Sequence, residues 1–208
     1  MELLLVRHAL PLRLECVDGP ADPDLSPDGH AQAEHLATYL SSEHLDAIYA
    51  SPLRRAYQTA QAIAANRSII VQLCDGIAEF DRYSGEYIPP EDLKAENDPR
   101  YYAVIGGQWD NEYETADAFQ HRVVSEIELL VDRHPGERIA VVCHGGVINS
   151  YFCHVLGLSR QRGFFYPNYT SINRVAAARG GTRSVITINE TPHLRGTGLP
   201  IGVFQGAG

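Results

Sequence analysis

Residues 3–8, close to the start of the sequence, read Leu-Leu-Leu-Val-Arg-His. A short apolar run that ends at charged or polar residues is typical of a strand buried on both faces, as in parallel sheets. Residues 139–144 read Ile-Ala-Val-Val-Cys-His and repeat the arrangement. The two stretches predict buried strands that are each followed by a histidine.

Segments with helical spacing alternate with the predicted strands. Ser26 is a candidate N-cap with Pro27 at the first helical position, and a second helix is expected after Ser51-Pro52. Further helices are predicted at about 115–134 and 147–156, and further strands at 46–50, 68–73, 172–178 and 184–189. The alternation predicts a single α/β domain over residues 1–208, with a mainly parallel sheet sandwiched between helices.

Two regions depart from this alternation. Residues from about 80 to 111 contain Pro89-Pro90 and Pro99, which interrupt any long helix or strand. We expect this region to form an insertion that acts as a lid. Residues from about 192 to 208 are predicted to form a C-terminal tail that contains glycine and proline.

Composition and charge exclude several classes of protein. The sequence has 17 Lys and Arg against 26 Asp and Glu, a net charge of -9 that repels nucleic acid. The longest aliphatic run, residues 3–6, is far shorter than a membrane span. Cys16, Cys74, Cys143 and Cys153 do not form a disulfide framework and are predicted to be reduced thiols. We expect a cytoplasmic protein that binds neither nucleic acid nor membranes, and a homodimer is left open.

The two histidines stand at equivalent places, directly after predicted strands. Because ligands bind beyond the carboxyl ends of strands in an open α/β sheet, His8 and His144 are expected to share one pocket. For a lone histidine the better interpretation is a structural one, in which the ring binds backbone at the strand end. Two histidines in equivalent positions weaken that alternative.

A pair of arginines follows a third predicted strand. Arg54 and Arg55 lie at the start of a predicted helix, where free N–H groups and the helix dipole attract anions. Together with Arg7, an arginine here would form a phosphate site, because a guanidinium group matches phosphate oxygens in a bidentate manner. The alternative is an ordinary solvated helix face.

Four blocks of sequence carry a resemblance to a known family. They are Leu4-Leu5-Val6-Arg7-His8, Leu25-Ser26-Pro27-Asp28-Gly29 with Gln32-Ala33, Ser51-Pro52-Leu53-Arg54-Arg55-Ala56 with Gln58-Thr59-Ala60, and Cys143-His144-Gly145-Gly146. In this order they resemble the histidine phosphatase superfamily, also called the phosphoglycerate mutase-like family. The resemblance implies that His8 is a nucleophile that forms phosphohistidine. It also implies that Arg7, Arg55 and His144 bind the phosphate, while Arg54 falls on a variable position.

The resemblance also implies a proton donor in the stretch after the third strand. Glu79 aligns best with the glutamate of the family pattern, and Asp81 is the competing candidate. The match is degraded, because Tyr83 stands at the aromatic position and one glycine is missing. A surface carboxylate in a loop is the alternative interpretation of Glu79.

The sequence departs from the family pattern in two further places. Residue 9 is Ala where the family usually has Gly, so the turn after His8 must use a backbone conformation open to both. Residues 10–14 replace a polar pattern found in the mutases, which puts mutase activity in doubt. We therefore expect a phosphomonoesterase that hydrolyses a small phosphorylated metabolite. A phosphoglycerate-type mutase is the second interpretation, and a catalytically weak binding module of the same fold is the third.

The expected mechanism needs no metal and no cofactor. His8 attacks the phosphorus, Glu79 acts as acid and then base, and a protonated His144 helps to stabilise the charge. The spacing of Cys143-His144 and Cys153-His154 matches no standard zinc site. Candidates for substrate contacts are Arg13, Asp81 and Tyr83, and the tyrosines Tyr166 and Tyr169 either line the pocket or only pack near it.

Overall fold

A six-stranded sheet forms the centre of the structure, a computed structural model that describes residues 1–105, 112–158 and 164–204. The strands are β1 (Glu2–Arg7), β2 (Leu14–Glu15), β3 (Ala47–Ala50), β4 (Val71–Leu73), β5 (Glu86–Tyr87), β6 (Arg138–Cys143), β7 (Ile172–Ala177) and β8 (Arg183–Glu190). The helices are α1 (Pro27–Leu40), α2 (Arg54–Ala64), α3 (Pro90–Ala95), α4 (Arg100–Ile105), α5 (Ala116–Arg133) and α6 (Gly145–Leu156).

The central sheet has the strand order β4-β3-β6-β1-β7-β8. Strands β4, β3, β6 and β1 are parallel, whereas β7 and β8 are antiparallel to their neighbours. Arg7 is in register with Cys143, so the residues that follow them, His8 and His144, lie side by side at the carboxyl edge. The parallel arrangement expected for the two apolar stretches is therefore confirmed.

Both faces of the sheet are covered, which explains the continuous apolar runs. In β1, Leu3 and Leu5 pack into the cluster formed with α5 and α6, while Leu4 and Val6 pack into the cluster formed with α1 and α2. All four side chains are fully buried. Burying such a side chain stabilises the fold by about 1.5–3 kcal/mol. The α/β fold predicted from the sequence is confirmed.

The predicted start of α1 is confirmed by its cap. The backbone N–H of Gly29 donates a hydrogen bond of 3.0 Å to the Ser26 hydroxyl, and Pro27 occupies the first turn. A Cβ atom at Gly29 would lie 2.0 Å from the carbonyl oxygen of Leu10. The glycine therefore allows α1 to pack directly against the loop that follows β1.

Several boundaries differ from the prediction. The strand expected at 68–73 covers only Val71–Leu73. It lies at the edge of the sheet, where its side chains are largely exposed. The helix expected from residue 147 begins at Gly145. The stretch between β1 and Leu25, expected to be irregular, contains β2, which pairs with β5 across a long distance in sequence. Local patterns of residues do not reveal such a pairing.

The predicted insertion contains β5, α3 and α4, while residues 106–111 lie outside the described residues. The predicted tail is described as far as residue 204. It is tied to the domain by hydrogen bonds from Gln32 Nε2 to the Pro200 carbonyl and from the Tyr169 N–H to the Ile201 carbonyl. All four cysteines are free thiols, as predicted. Within the described ranges, no helix has the length and apolar character needed to cross a membrane.

Candidate active site

The carboxyl edge of the sheet opens into a cavity of about 540 Å³. The ends of β1 and β6 and the starts of α2 and α6 form its inner end, where Arg7, His8, Arg55 and Glu79 line the wall. His144 lies beside them, with its ring centroid 5.1 Å from that of His8. The residues that the sequence singled out as the catalytic set are thus brought together in one place.

The ring of His8 has a defined tautomer. Its Nδ1 lies 2.7 Å from the carbonyl oxygen of Ala9, and because a carbonyl only accepts, Nδ1 must carry the hydrogen. The lone pair is therefore on Nε2. Burial, Arg55 and Arg7 hold the pKa of His8 well below its usual value, so the ring is neutral near pH 7. Ala9 has no positive φ, so the turn suits alanine as expected.

The guanidinium group of Arg7 is fixed on two sides. Its Nη1 donates a hydrogen bond of 2.6 Å to the Pro167 carbonyl, and its Nη2 donates one of 3.1 Å to the Tyr166 hydroxyl. The Tyr169 ring packs against it, with 4.2 Å between Cζ and the ring centroid. Its Nε is buried and has no hydrogen-bond partner among the described residues. Tyr166 and Tyr169 thus hold the arginine in place.

Arg55 is held in a similar way by a carboxylate and a ring. Its Nη2 donates hydrogen bonds of 2.8 and 3.1 Å to the two carboxylate oxygens of Asp81. Its Cζ lies 4.5 Å from the centre of the Tyr87 ring. The Nε of Arg55 is also buried without a partner in the described part of the chain. Arg54, in contrast, is exposed and pairs with Asp24, so the preference for Arg55 agrees with the geometry.

His144 differs from the sequence-based expectation in its charge. Its Nε2 lies 2.8 Å from the Ser51 hydroxyl oxygen, within hydrogen-bond distance. Burial, Arg55 and His8 lower the pKa of His144 well below its usual value. In the unliganded pocket His144 is therefore neutral, because two nearby arginines and low solvation disfavour a further positive charge. The protonated form expected with phosphate bound stays a prediction.

Glu79 is buried beside the first turn of α6. Its carboxylate accepts hydrogen bonds of 2.8 Å from the Gly146 N–H and 3.1 Å from the Phe80 N–H. Burial and the charge of Asp81 raise the pKa of Glu79 to about 7, and these hydrogen bonds together with Arg55 oppose the rise. A Cβ atom at residue 146 would lie 2.3 Å from the Glu79 carboxylate, so only glycine permits this contact. A surface position for Glu79 is excluded.

Two of the three candidate substrate contacts lie away from the cavity. Arg13 is at the surface, where it pairs with Glu15 on β2 and with Glu96 directly after α3. Tyr83 is half exposed and contacts Arg82 and Tyr113 instead. The structure therefore does not bring either side chain to the cavity.

Asp81, the third candidate, does line the cavity. Its carboxylate is occupied by Arg55, as described above. Among the residues that the structure describes, no group of three or more His, Cys, Asp or Glu side chains is placed to hold a metal ion.

Some contributing residues were missed at the level of sequence. The Tyr87 ring contacts Arg55, but it lies in the insertion, where no periodicity marks it. Ser51 contacts His144, and it could have been found because it begins one of the four blocks. Gln32, Gln58 and Thr59, also in those blocks, accept hydrogen bonds from the backbone N–H groups of Leu10, Leu25 and Ala9. They fix the loop that follows His8.

Comparison with known proteins agrees with this arrangement. The model of the histidine phosphatase superfamily (branch 1) matches residues 3–191. The chain belongs to the histidine phosphatase superfamily. It is 31% identical over 205 residues to phosphoserine phosphatase 1 of Hydrogenobacter thermophilus, covering 93% of this chain and 94% of the relative. It is 28% identical to the adenosylcobalamin/alpha-ribazole phosphatase of Escherichia coli, covering 77% and 82% of the two chains.

A solved structure of this superfamily shares the fold. A phosphoserine phosphatase variant from Entamoeba histolytica, crystallised with phosphoserine, superimposes with a TM-score of 0.72 at 25% identity. The match covers 93% of this chain and 98% of that one. The family, the fold and the class of small-metabolite phosphatase expected from the sequence are thereby confirmed.

Proposed function

We propose that this protein is a phosphomonoesterase that transfers the phosphoryl group of a small metabolite to His8 and then to water. The observation that carries the proposal is the gathering of Arg7, His8, Arg55 and Glu79 on the wall of one cavity. The cavity thus holds a neutral imidazole, two guanidinium groups and a carboxyl group side by side. A dianionic phosphate would be attracted by the two positive charges and would lie next to His8.

The first step forms a bond between His8 Nε2 and phosphorus while the ester P–O bond breaks. Nε2 is free to attack because Nδ1 holds the ring hydrogen against the Ala9 carbonyl. The Glu79 carboxyl group, whose pKa is raised to about 7, donates its proton to the departing oxygen. Arg7 and Arg55 stabilise the charge on the phosphoryl oxygens.

The second step returns the enzyme to its starting state. The Glu79 carboxylate takes a proton from water, the water oxygen bonds to phosphorus, and the P–N bond to His8 breaks. The products are inorganic phosphate, a neutral His8 and a protonated Glu79. His144 completes the pocket as a neutral hydrogen-bonding group held by Ser51.

Trapping the intermediate tests this proposal. The enzyme is mixed briefly with ³²P-labelled phenyl phosphate and quenched in alkali, which preserves phosphohistidine. We expect acid-labile label on His8, no label and no turnover in His8→Ala, and normal labelling in His44→Ala, since the His44 side chain is 81% exposed. Full turnover in His8→Ala, or label on a serine or cysteine, would refute the mechanism.

We also propose a cytoplasmic location, because all four cysteines are free thiols, three of them buried. Thiols remain reduced in that compartment.

A further inference from the structure

The outer part of the cavity differs in chemistry from its phosphate end. Apolar and aromatic side chains make up much of its wall, beside the polar Ser84, Glu86, Arg100 and Asn149. The apolar side chains come from the insertion, from the segment before β7 and from the C-terminal tail. The main contributors are Ile88, Leu93, Phe164, Phe165, Tyr166 and Phe204. We call these six residues the apolar wall.

Phe204 links the three segments that carry the apolar wall. Phe204 of the tail packs edge-on against Tyr166, with 6.1 Å between ring centroids, and Phe164 lies 4.8 Å from Phe165 by the same measure. The Phe204 ring also lies 5.6 Å from the Lys94 ammonium group on α3. The tail and the insertion therefore close around the same space.

Arg100, which lines the cavity, is already paired with carboxylates. Arg100 forms ion pairs with Glu86 and with Asp98, the latter at 2.7 Å. Apart from Arg7 and Arg55, Arg100 is the only arginine or lysine among the described residues that line the cavity. A carboxylate on the substrate would have to compete with Glu86 and Asp98 for it.

The size of the cavity gives a further indication. Its volume of about 540 Å³ falls within the range of about 300–1,000 Å³ typical of sites for larger organic ligands. A phosphoryl group needs only the inner end between Arg7 and Arg55. The remaining space must be filled by the alcohol part of the ester or by water.

Resting on the phosphatase activity proposed above, we propose that the preferred substrates are phosphate monoesters whose alcohol carries a bulky uncharged apolar group, such as an aromatic ring. The apolar wall would bind this group by excluding water from it. Small esters that carry a carboxylate, such as phosphoserine, would be poorer substrates because they leave the apolar wall exposed to water. Apart from Arg7 and Arg55, the described lining also has no unpaired cation that could bind their carboxylate.

A series of alkyl phosphates tests this preference. Ethyl, butyl, hexyl and phenethyl phosphate have leaving alcohols of similar basicity, so differences in kcat/KM report binding of the alcohol. Each buried methylene group is worth a factor of about four. We expect kcat/KM to rise along the series by up to that factor per methylene, mainly through KM, and O-phosphoserine to rank near ethyl phosphate or below it.

Variants in the apolar wall locate the effect. Phe204→Ser removes a ring that is 60% exposed, so the fold does not depend on it. This change should lower kcat/KM for hexyl and phenethyl phosphate several-fold more than for ethyl phosphate. Ile70→Ser is the control, because Ile70 is 86% exposed and does not line the cavity. It should leave the ratio between the long and short esters unchanged.

The outcomes separate this proposal from the one on which it rests. If the protein hydrolyses the esters but kcat/KM is flat with chain length, or is highest for O-phosphoserine, the apolar preference is wrong and the phosphatase activity stands. If no ester in the series and no aryl phosphate is hydrolysed, both proposals are wrong. An equal effect of Phe204→Ser and Ile70→Ser would also overturn the apolar preference.

Discussion

The two ends of the cavity are built on different physical principles. At the inner end, Arg55 and His144 are 1% and 0% exposed and are positioned by the parallel sheet and by helix starts. At the outer end, the apolar wall lies on short elements, and beside it Arg100, whose side chain is 48% exposed, forms ion pairs. Exposed ion pairs of this kind contribute little to stability. The inner end is therefore the more deeply buried, reactive part, and the two ends meet at Tyr166, which belongs to the apolar wall and also holds Arg7.

The largest expected effect on kcat/KM distinguishes two neighbouring arginines. Arg55→Ala should lower kcat/KM by about 10³-fold or more, because Arg55 is buried at the phosphate end and supplies charge in the transition state. Arg54→Ala should change kcat/KM by less than about twofold, since Arg54 is exposed and pairs with Asp24. Steady-state kinetics with phenyl phosphate measure both. Equal losses in the two variants would contradict the division into two ends.

The second test separates the two carboxylates of the site. Glu79→Gln should lower kcat/KM for an alkyl phosphate by about 10²-fold, because the alcohol leaves poorly without a proton. An aryl phosphate should lose far less. In Asp81→Asn, measured at a pH low enough to keep Glu79 protonated, the weakened hold on Arg55 should reduce kcat/KM for both esters to a similar extent. A selective loss for the alkyl ester in Asp81→Asn at that pH would transfer the acid role to Asp81.

The pH dependence of the reaction is a third and smaller test. Because the pKa of Glu79 is raised to about 7, its protonated form decreases about tenfold per pH unit above that value. We expect kcat/KM for an alkyl phosphate to fall above about pH 7. The pKa of His8 lies well below its usual value, so no loss should arise from protonation of His8 between pH 6 and 7.

Asp81→Asn sharpens the pH test. The negative charge of Asp81 helps to raise the pKa of Glu79. Its removal should therefore move the fall in kcat/KM to lower pH. An aryl phosphate serves as the control, because its leaving group needs little protonation and its profile should fall less. If kcat/KM of Asp81→Asn falls at the same pH as in the wild type, Asp81 does not influence the pKa of Glu79.

The smallest effect is expected at the surface, away from the cavity. Arg13→Ala removes the ion pairs with Glu15 and Glu96. Because these pairs are exposed, the change should leave the free energy of unfolding nearly unchanged and should alter kcat/KM by less than about twofold. Chemical denaturation and steady-state kinetics measure these values. A large rise in KM would restore Arg13 as a substrate contact.

Prediction from sequence succeeded best at the inner end. The apolar runs before His8 and His144 identify buried strands without any tertiary information, and residues that follow parallel strands must lie at one edge. The prediction failed where a side chain had several partners to choose from. Arg13 was close to the nucleophile in sequence, but Glu96, 83 positions away, binds it at the surface.

Local patterns of apolar residues predicted the α/β fold and the parallel edge that brings His8 and His144 together, and the resemblance carried by the four sequence blocks supplied Arg55 and Glu79. The contacts of the folded chain were needed to show that Asp81 holds Arg55, that His8 presents Nε2 and that burial raises the pKa of Glu79. They also showed that an apolar wall forms the outer end. The physical reason is that hydrogen bonding, desolvation and cavity shape depend on contacts between residues far apart in the chain, which no local pattern contains.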